Sequence, residues 1–437
     1  MEFDLKTVEL SDVASINPRR RVQKSELAPF VEMAALPTNG RDIPASSLQT
    51  RIAKGSGSHF QNGDTLLARI TPCLENGKTA QVSGLPDGTV GEGSTEFVVL
   101  CGIDPADNDF IYYVCRSPDF RDFAIARMEG TSGRQRVAWR SIAGYQMILP
   151  PAVVRRESAA LLAALDDRIQ SLREINDTLE SIAQALFKSW FVDFDPVRAK
   201  AEGREPEGMD AATAALFPSE FEDSELGPIP KGWQVEQIGK LVRCLGGATP
   251  STRNESFWQG GTHHWATPKD LSGLPSPALV DTDRRITDEG LSRISSGLLP
   301  AGTLLLSSRA PIGYLAISAV PTAINQGFIA MPPGGDLSPM FLLCWCKENM
   351  GLIKQSANGS TFMEISKKAF RPLPVCVPTI EIRGAFDQLA VPIFDKIKAN
   401  ELHRCSLTEL RDTLLPRLIS GKLRLSDAER EIEAATA

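Results

Sequence analysis

LLAALDDRIQSLREINDTLESIAQALFKSW (161–190) decides how this chain folds. Apolar residues fall at Leu162, Leu165, Ile169, Leu172, Leu179, Ala183, Leu186 and Trp190, in steps of three and four, with Asn176 inside the stripe. That spacing is the heptad signature of a helix with a partner, and an Asn in such a seam costs stability while fixing register. A helix from 155 to 191, some 36 residues, spans about 54 Å at 1.5 Å per residue. A second stretch, LAVPIFDKIKANELHRCSLTELRDTLLPRL (389–418), lies 228 residues downstream and falls into register with it. Ile393 then matches Leu165, Ile397 matches Ile169, Asn400 matches Leu172, Leu407 matches Leu179, Leu414 matches Leu186 and Leu418 matches Trp190. Arg404 and Arg411 interrupt the second stripe, as does Asn400.

The repeat extends upstream. GDTLLARITP (63–72) parallels AGTLLLSSRAP (301–311), GSTEFVVL (93–100) parallels INQGFIAM (324–331), and GTSGRQRVAW (130–139) parallels GSTFMEISKK (359–368). Each copy closes on a Pro-ended apolar run, YQMILPP (145–151) or LPVCVP (373–378), just before its helix. Short apolar runs broken by Gly, Pro and Asn, with a helix predicted over Phe110 to Met128, point to mixed α/β modules. The expected architecture is α/β of the mixed α+β kind. Two similar globular domains are separated by two long antiparallel coiled-coil helices in a pseudo-twofold internal repeat. The alternative is that each helix folds back on its own domain. The predicted divisions are 1–150 and 229–378 for the domains, 151–195 and 379–425 for the helices, 196–228 for an acidic Pro/Gly connector and 426–437 for an acidic tail.

A chain of 437 residues, 42% hydrophobic and 23% charged, has the composition of a globular protein with room for two or three cores. It holds no apolar run of membrane-spanning length, and MEFDLKTVEL has no basic-then-apolar signal pattern, so a cytoplasmic protein is expected. The net charge of −7 is unevenly placed. From Asp193 to Pro228 ten acids face three bases, which alone gives −7; the tail from Ser426 adds −3 and leaves the rest at +3. A mildly basic body with acidic appendages is compatible with phosphate contact. The eight Cys lack paired CxxC spacing and read as buried free thiols. Cys344 and Cys346 with His263 and His264 do not have a spacing that demands a metal.

SIAQALFKSWFVDFDPVRAK (181–200), LFPSEFEDSELGPIPKGWQV (216–235) and GATPSTRNESFWQGGTHHWATPKDL (247–271) resemble the specificity subunits of type I restriction-modification systems. SSRAPIGYLAI (307–317), AINQGFIAM (323–331) and LTELRDTLLPRLISGKLRL (407–425) add to the likeness, which covers nearly the whole chain and is weakest in the first 60 residues. The resemblance implies two target-recognition domains, each reading one part of a split, asymmetric sequence in double-stranded DNA. Its helices would dock modification (methyltransferase) subunits, joined in the full complex by restriction (helicase-nuclease) subunits. It implies no catalysis and no cofactor or metal in this chain, with S-adenosylmethionine, ATP and Mg belonging to the partner subunits. A spacer of this length would set two readers more than one B-DNA turn of about 34 to 36 Å apart. The chain has no [DN]PP[YF] methyltransferase motif, no FxGxG loop and no GxxxxGK[ST] phosphate loop.

Base and phosphate contacts draw on Arg, Lys, Asn and Gln in loops. The candidates are Arg69, Lys78, Arg134, Gln135 and Arg136 in the first domain and Lys269, Arg309, Asn358, Lys367 and Lys368 in the second. Loops 130–136 and 358–362 lead because they recur at equivalent places. For any one of these side chains an ordinary solvated charge is the competing reading, as it is for the Arg19, Arg20, Arg21 run. The partner interface falls on Leu165, Ile169, Leu172, Asn176, Leu179, Leu186, Ile393, Ile397, Asn400, Leu407, Leu414 and Leu418. Two other classes stay open: a metal-dependent nuclease using carboxylates between 60 and 130, and a coiled-coil scaffold tethering two protein-binding domains.

Overall fold

A computed structural model describes residues 6–131, 133–359 and 363–436. The chain divides into two compact units, Met1–Ser171 with Arg404–Ala437, and Leu172–His403. In unit 1 the apolar run of GDTLLARI becomes the strand Thr65–Ala68, buried along its whole length. It sits in an antiparallel sheet in the order Ala14–Ile16, Phe97–Gly102, Thr65–Ala68, Thr79–Gln81. A second sheet runs Gln49–Ile52, Leu27–Val31, Gly91–Gly93, Ser58–Phe60, and pairs Phe30 with Glu92 in parallel. Val31, Phe60, Leu66, Phe97 and Val99 form the core of these sheets.

Unit 2 rebuilds this frame. Ala278–Leu279, Leu315–Ser318, Leu304–Ser307 and Phe328–Met331 make its first sheet; Arg284–Ile286, His263–Ala266 and Thr322–Ile324 make its second, again with one parallel pair, His264 on Thr322. Lys6–Glu9 pairs antiparallel with Gln146–Leu149, and Gln234–Gln237 pairs with Pro374–Val377 in the same way, each strand shifted by 228. Gly63 and Gly302 take the same left-handed φ of +85°, open to glycine at little cost, at the turns that enter the equivalent strands. The Thr71–Pro72 and Ala310–Pro311 bonds that follow are both cis.

The long helices are Ala152–Phe191 and Ile380–Ile419, 40 residues each and about 60 Å long. They pair within each unit. In unit 2 Asn176 lies against Ile397 and Asn400, while Phe187 and Trp190 meet Phe386, so one helix ascends as the other descends. In unit 1 Leu162, Leu165, Ile169, Leu407, Leu414 and Leu418 are buried, and Arg411 donates to Asp166 at 2.5 Å. Leu172 and Ile397 are buried in unit 2, but Leu179, Leu186 and Ile393 are half-buried, and Phe187, Phe386 and Phe394 fill the centre beside them. A straight helix drifts about 20° per heptad against a 3.5-residue repeat, and here the aromatic neighbours of the stripe take the inner places.

Several predicted boundaries move. The helix over Phe110 to Met128 is two helices, Asn108–Arg116 and Pro118–Ile125. Pro118 excludes Ser117 from helical φ/ψ, and the Ser117 hydroxyl caps the second helix at Phe120; Met128 belongs to a hairpin strand. The first long helix runs to Phe191, short of the predicted division at 195. Phe194 turns left-handed at φ +58°, and Pro196 sits in the first turn of a new helix, Asp195–Ala201. The stretch read as a connector is folded onto unit 2. Val197 and Phe217 join its core, and the Lys200 ammonium bonds the carbonyls of Ala214 and Phe217. The acidic tail forms a helix, Leu425–Thr436, pinned by two 2.8 Å bonds from Arg417 to Glu431.

Candidate nucleic-acid interface

In unit 1 the hairpin Met128–Glu129/Arg136–Val137 stands beside the end of the strand Thr65–Ala68. Backbone bonds stitch three segments together: Arg69 N–H donates to Glu96 C=O at 3.0 Å, Val137 N–H to Arg69 C=O at 2.9 Å, and Thr71 N–H to Gln135 C=O at 3.0 Å. Gly130 is required in the hairpin, since a Cβ there would meet the Arg134 carbonyl at 2.9 Å and its φ is +131°. Arg69 and Arg136 thereby converge on Glu96. Arg136 Nε lies 3.0 Å from both carboxylate oxygens and its Nη2 2.7 Å from Oε1, while Arg69 Nε is 3.4 Å away. The Arg136 bonds hold the Glu96 carboxyl below the usual range, outweighing partial burial, with Arg69 adding to them.

Arg134 is exposed at the hairpin and Gln135 is half-buried, its N–H bonded to the Thr71 hydroxyl. Ser132 of this loop lies outside the described residues. Lys78 is turned away, its ammonium 2.8 Å from the Met33 carbonyl. In unit 2, Arg309 and Asn358 both bridge to Glu364, Arg309 with its guanidinium 3.7 Å from the carboxylate. Lys367 and Lys368 are exposed in the short helix Lys367–Phe370, capped by Ser366. Lys269 stands elsewhere, ion-paired to Asp283 at 3.0 Å. Residues 360–362 of the 358–362 loop lie outside the described residues. A cavity of about 500 Å³ opens here, lined by Arg309, Pro311, Ile312, Lys354, Met363 and Glu364.

Some of the polar side chains singled out in the sequence have partners within the chain. Arg20 pairs with the buried Asp64, and its carbonyl meets His59 Nδ1 at 2.9 Å. His263 bonds Asp288 at 2.7 Å; the His264 imidazole is pushed below its ordinary pKa by burial and Arg285, against Asp281. Two of the buried carboxylates between 60 and 130 are engaged likewise. Glu92 accepts the backbone N–H groups of Lys54, Ser56 and Gly57, and Asp107 accepts Arg155 and Arg156. Among the described residues no three His, Cys, Asp or Glu gather into a metal-ligating group, and the eight Cys are free.

The sequence did not single out Glu96, because a lone carboxylate in GSTEF has no motif. Arg51 and Arg284 also escaped notice. They occupy edge strands, over the Phe30 ring (3.1 Å) and the Trp258 ring (3.6 Å) respectively, partners distant in sequence that only the fold brings together.

Residues 230–411 match the type I restriction modification DNA specificity domain. The chain is 27% identical over 432 residues to the type I restriction enzyme HindI specificity subunit of Haemophilus influenzae, covering 88% of this chain and 90% of that one. The chain is similar to type I specificity subunits along most of its length, and residues 230–411 match their DNA specificity domain. A further specificity subunit, MjaIX of Methanocaldococcus jannaschii, is 35% identical over 193 residues, covering 42% of this chain and 44% of that one. The crystal structure of the type I restriction-modification S subunit from M. genitalium shares the fold, with a TM-score of 0.52 at 16% identity over 95% of this chain and 96% of that one. Both of these curated relatives are named as specificity subunits of type I restriction enzymes. No helix among the described residues is long and apolar enough to cross a membrane.

Proposed function

We propose that this chain is a type I specificity subunit, without catalysis of its own, that reads a bipartite, asymmetric duplex, one half with the domain of unit 1 and the other with that of unit 2. The observation that carries the reading is the duplicated frame: equivalent sheets, the same parallel strand pair in each, and terminal strands and long helices shifted by 228 residues. One chain with two like readers needs a target with two parts. The paired helices dock modification (methyltransferase) subunits, and restriction (helicase-nuclease) subunits join that complex. S-adenosylmethionine, ATP and Mg act in those partners, and this chain contributes position.

Reconstituting the chain with its modification subunit and sequencing the methylated sites tests this. Replacing residues 1–150 by the corresponding domain of another specificity subunit is expected to change one half of the target. A swap that changed both halves, or a complex that methylated without sequence preference, would overturn the reading.

A further inference from the structure

The two units hold three backbone positions in the same hydrogen-bonded arrangement and fill them with different side chains. In unit 1, Arg69 N–H donates to Glu96 C=O and Val137 N–H to Arg69 C=O; in unit 2, Ser308 N–H donates to Gly327 C=O at 2.8 Å and Ile365 N–H to Ser308 C=O at 3.0 Å. The bridge between Ile70 and Arg136 corresponds to that between Arg309 and Glu364. Position by position, Arg69 corresponds to Ser308, Glu96 to Gly327 and Arg136 to Glu364. The duplicated scaffold is kept where the main chain needs it, while the side chain it presents reverses from a cation to an anion.

Unit 1 buttresses a cation with a carboxylate at this place, whereas in unit 2 Glu364 has only the Arg309 guanidinium, 3.7 Å away, beside it. Glu96 takes Arg136 side-on, through Nε–H and one Nη2–H. That leaves the outer pair of N–H groups on Nη1 and Nη2 at the end of the fork, although Nη1 also lies 3.4 Å from the Arg134 carbonyl. The Arg136 side chain is 40% exposed and Glu96 is 23% exposed, so the fork meets solvent while its support is recessed. An end-on guanidinium with both donors fixed in one plane matches the O6 and N7 acceptors of guanine in the major groove. In unit 2 a carboxylate cannot stand behind the equivalent position: a Cβ on Gly327 would already lie 2.8 Å from Pro268. There the position offers Glu364, an acceptor, which suits a base that presents an amino group.

We infer that Arg136, oriented by Glu96, reads a guanine in the half-target of unit 1, and that Glu364 is its counterpart in unit 2. Glu96 is then a positioning residue and Arg136 a specificity-determining one. This rests on the bipartite DNA reading proposed above and adds which side chain reads and which base it takes.

The test uses the full chain in complex with its modification subunit on a pool of randomised duplexes, with methylated sites sequenced. Wild type is expected to require guanine at one position of the unit 1 half. Glu96→Gln and Arg136→Lys are each expected to relax that preference by about 5- to 150-fold, the worth of one bidentate base contact, and to leave the unit 2 half unchanged. Arg136→Lys keeps the charge and removes the fork, so it separates base reading from general attraction to phosphate. Arg140→Ala, which removes an exposed cation of the same unit outside the candidate set, is expected to preserve the guanine preference. If wild type reads a bipartite target but both Glu96→Gln and Arg136→Lys keep the unit 1 half intact, or weaken both halves equally, this inference fails alone. If wild type shows no sequence preference, the bipartite reading fails with it.

Discussion

The side-chain amide of Asn400 donates to the amide oxygen of Asn176 at 2.9 Å, inside the seam of the two long helices in unit 2. Asn176 in turn reaches the Ile397 carbonyl at 3.4 Å, and both side chains are almost fully buried. An amide pair in an apolar seam is satisfied only when the helices stand at one register, which is how buried Asn specifies alignment.

Replacing Asn176 alone by Leu strands the Asn400 amide, and is expected to destabilise unit 2 by about 1 to 3 kcal/mol. The double replacement by Leu is expected to recover most of that loss, because no polar group is left buried. Urea unfolding of the three chains checks both expectations, and a double variant as unstable as the single one would show that the pair contributes by shape.

In unit 1 the polar contact at the helix pair is ionic. Arg411 donates to Asp166 at 2.5 Å, Tyr113 donates to the other oxygen of Asp166 at 2.7 Å, and both charged side chains are at most 5% exposed. Arg411→Ala leaves a buried carboxylate without its cation and is expected to cost about 3 to 5 kcal/mol. Arg411→Met combined with Asp166→Leu is expected to cost less, although Tyr113 then loses its acceptor. Chemical denaturation of the two variants ranks them.

Acid is expected to loosen the junction between the first domain and its helix. Burial opposes the charge on Asp107, but Arg155 and Arg156 outweigh it and hold the carboxyl below its ordinary value. A depressed carboxylate contributes stability that is present above the unfolded value of about 3.9 and lost as pH falls through the folded one. The stability difference between wild type and Asp107→Asn is therefore expected to be constant above about pH 5 and to shrink below pH 4. Thermal melts across that range measure it.

The thiols should divide by burial. Cys115, Cys244, Cys344 and Cys346 are buried, and burial drives the Cys344 thiol up to about 12, so little thiolate forms near neutral pH. Cys73, Cys101, Cys376 and Cys405 are partly open. A thiol reagent is expected to modify members of the open set in the native protein and to reach the buried four only on unfolding, as mass mapping would show.

The long helices and the duplication were legible because both are periodic. A 3.5-residue stripe and a 228-residue shift survive low identity, since they need only the right kind of residue at the right interval. Boundaries were less legible. The predicted division at 195 overran the helix, since the chain had already turned at Phe194, and Ser117 broke a helix whose apolar pattern continued through it. The acidic segments carried a charge signal without a packing signal. Val197 and Phe217, which fasten the connector to its core, are single apolar residues among many acids.

Of the reading candidates, sequence supplied the residue types and the loops that recur. It missed Glu96 and ranked Arg136 level with Lys78. Glu96 and Arg136 are 40 residues apart and meet only because both flank the strand that ends at Ala68, while Lys78 is drawn to the carbonyls of residues 33 and 34.

The sequence by itself determined that this chain is a doubled module with two long amphipathic helices, because periodic burial writes itself into residue spacing. Only the tertiary structure decided which charges are free to meet a ligand. An arginine's availability depends on the carboxylate or carbonyl that folding places beside it, and strand pairing joins residues whose separation along the chain follows no rule.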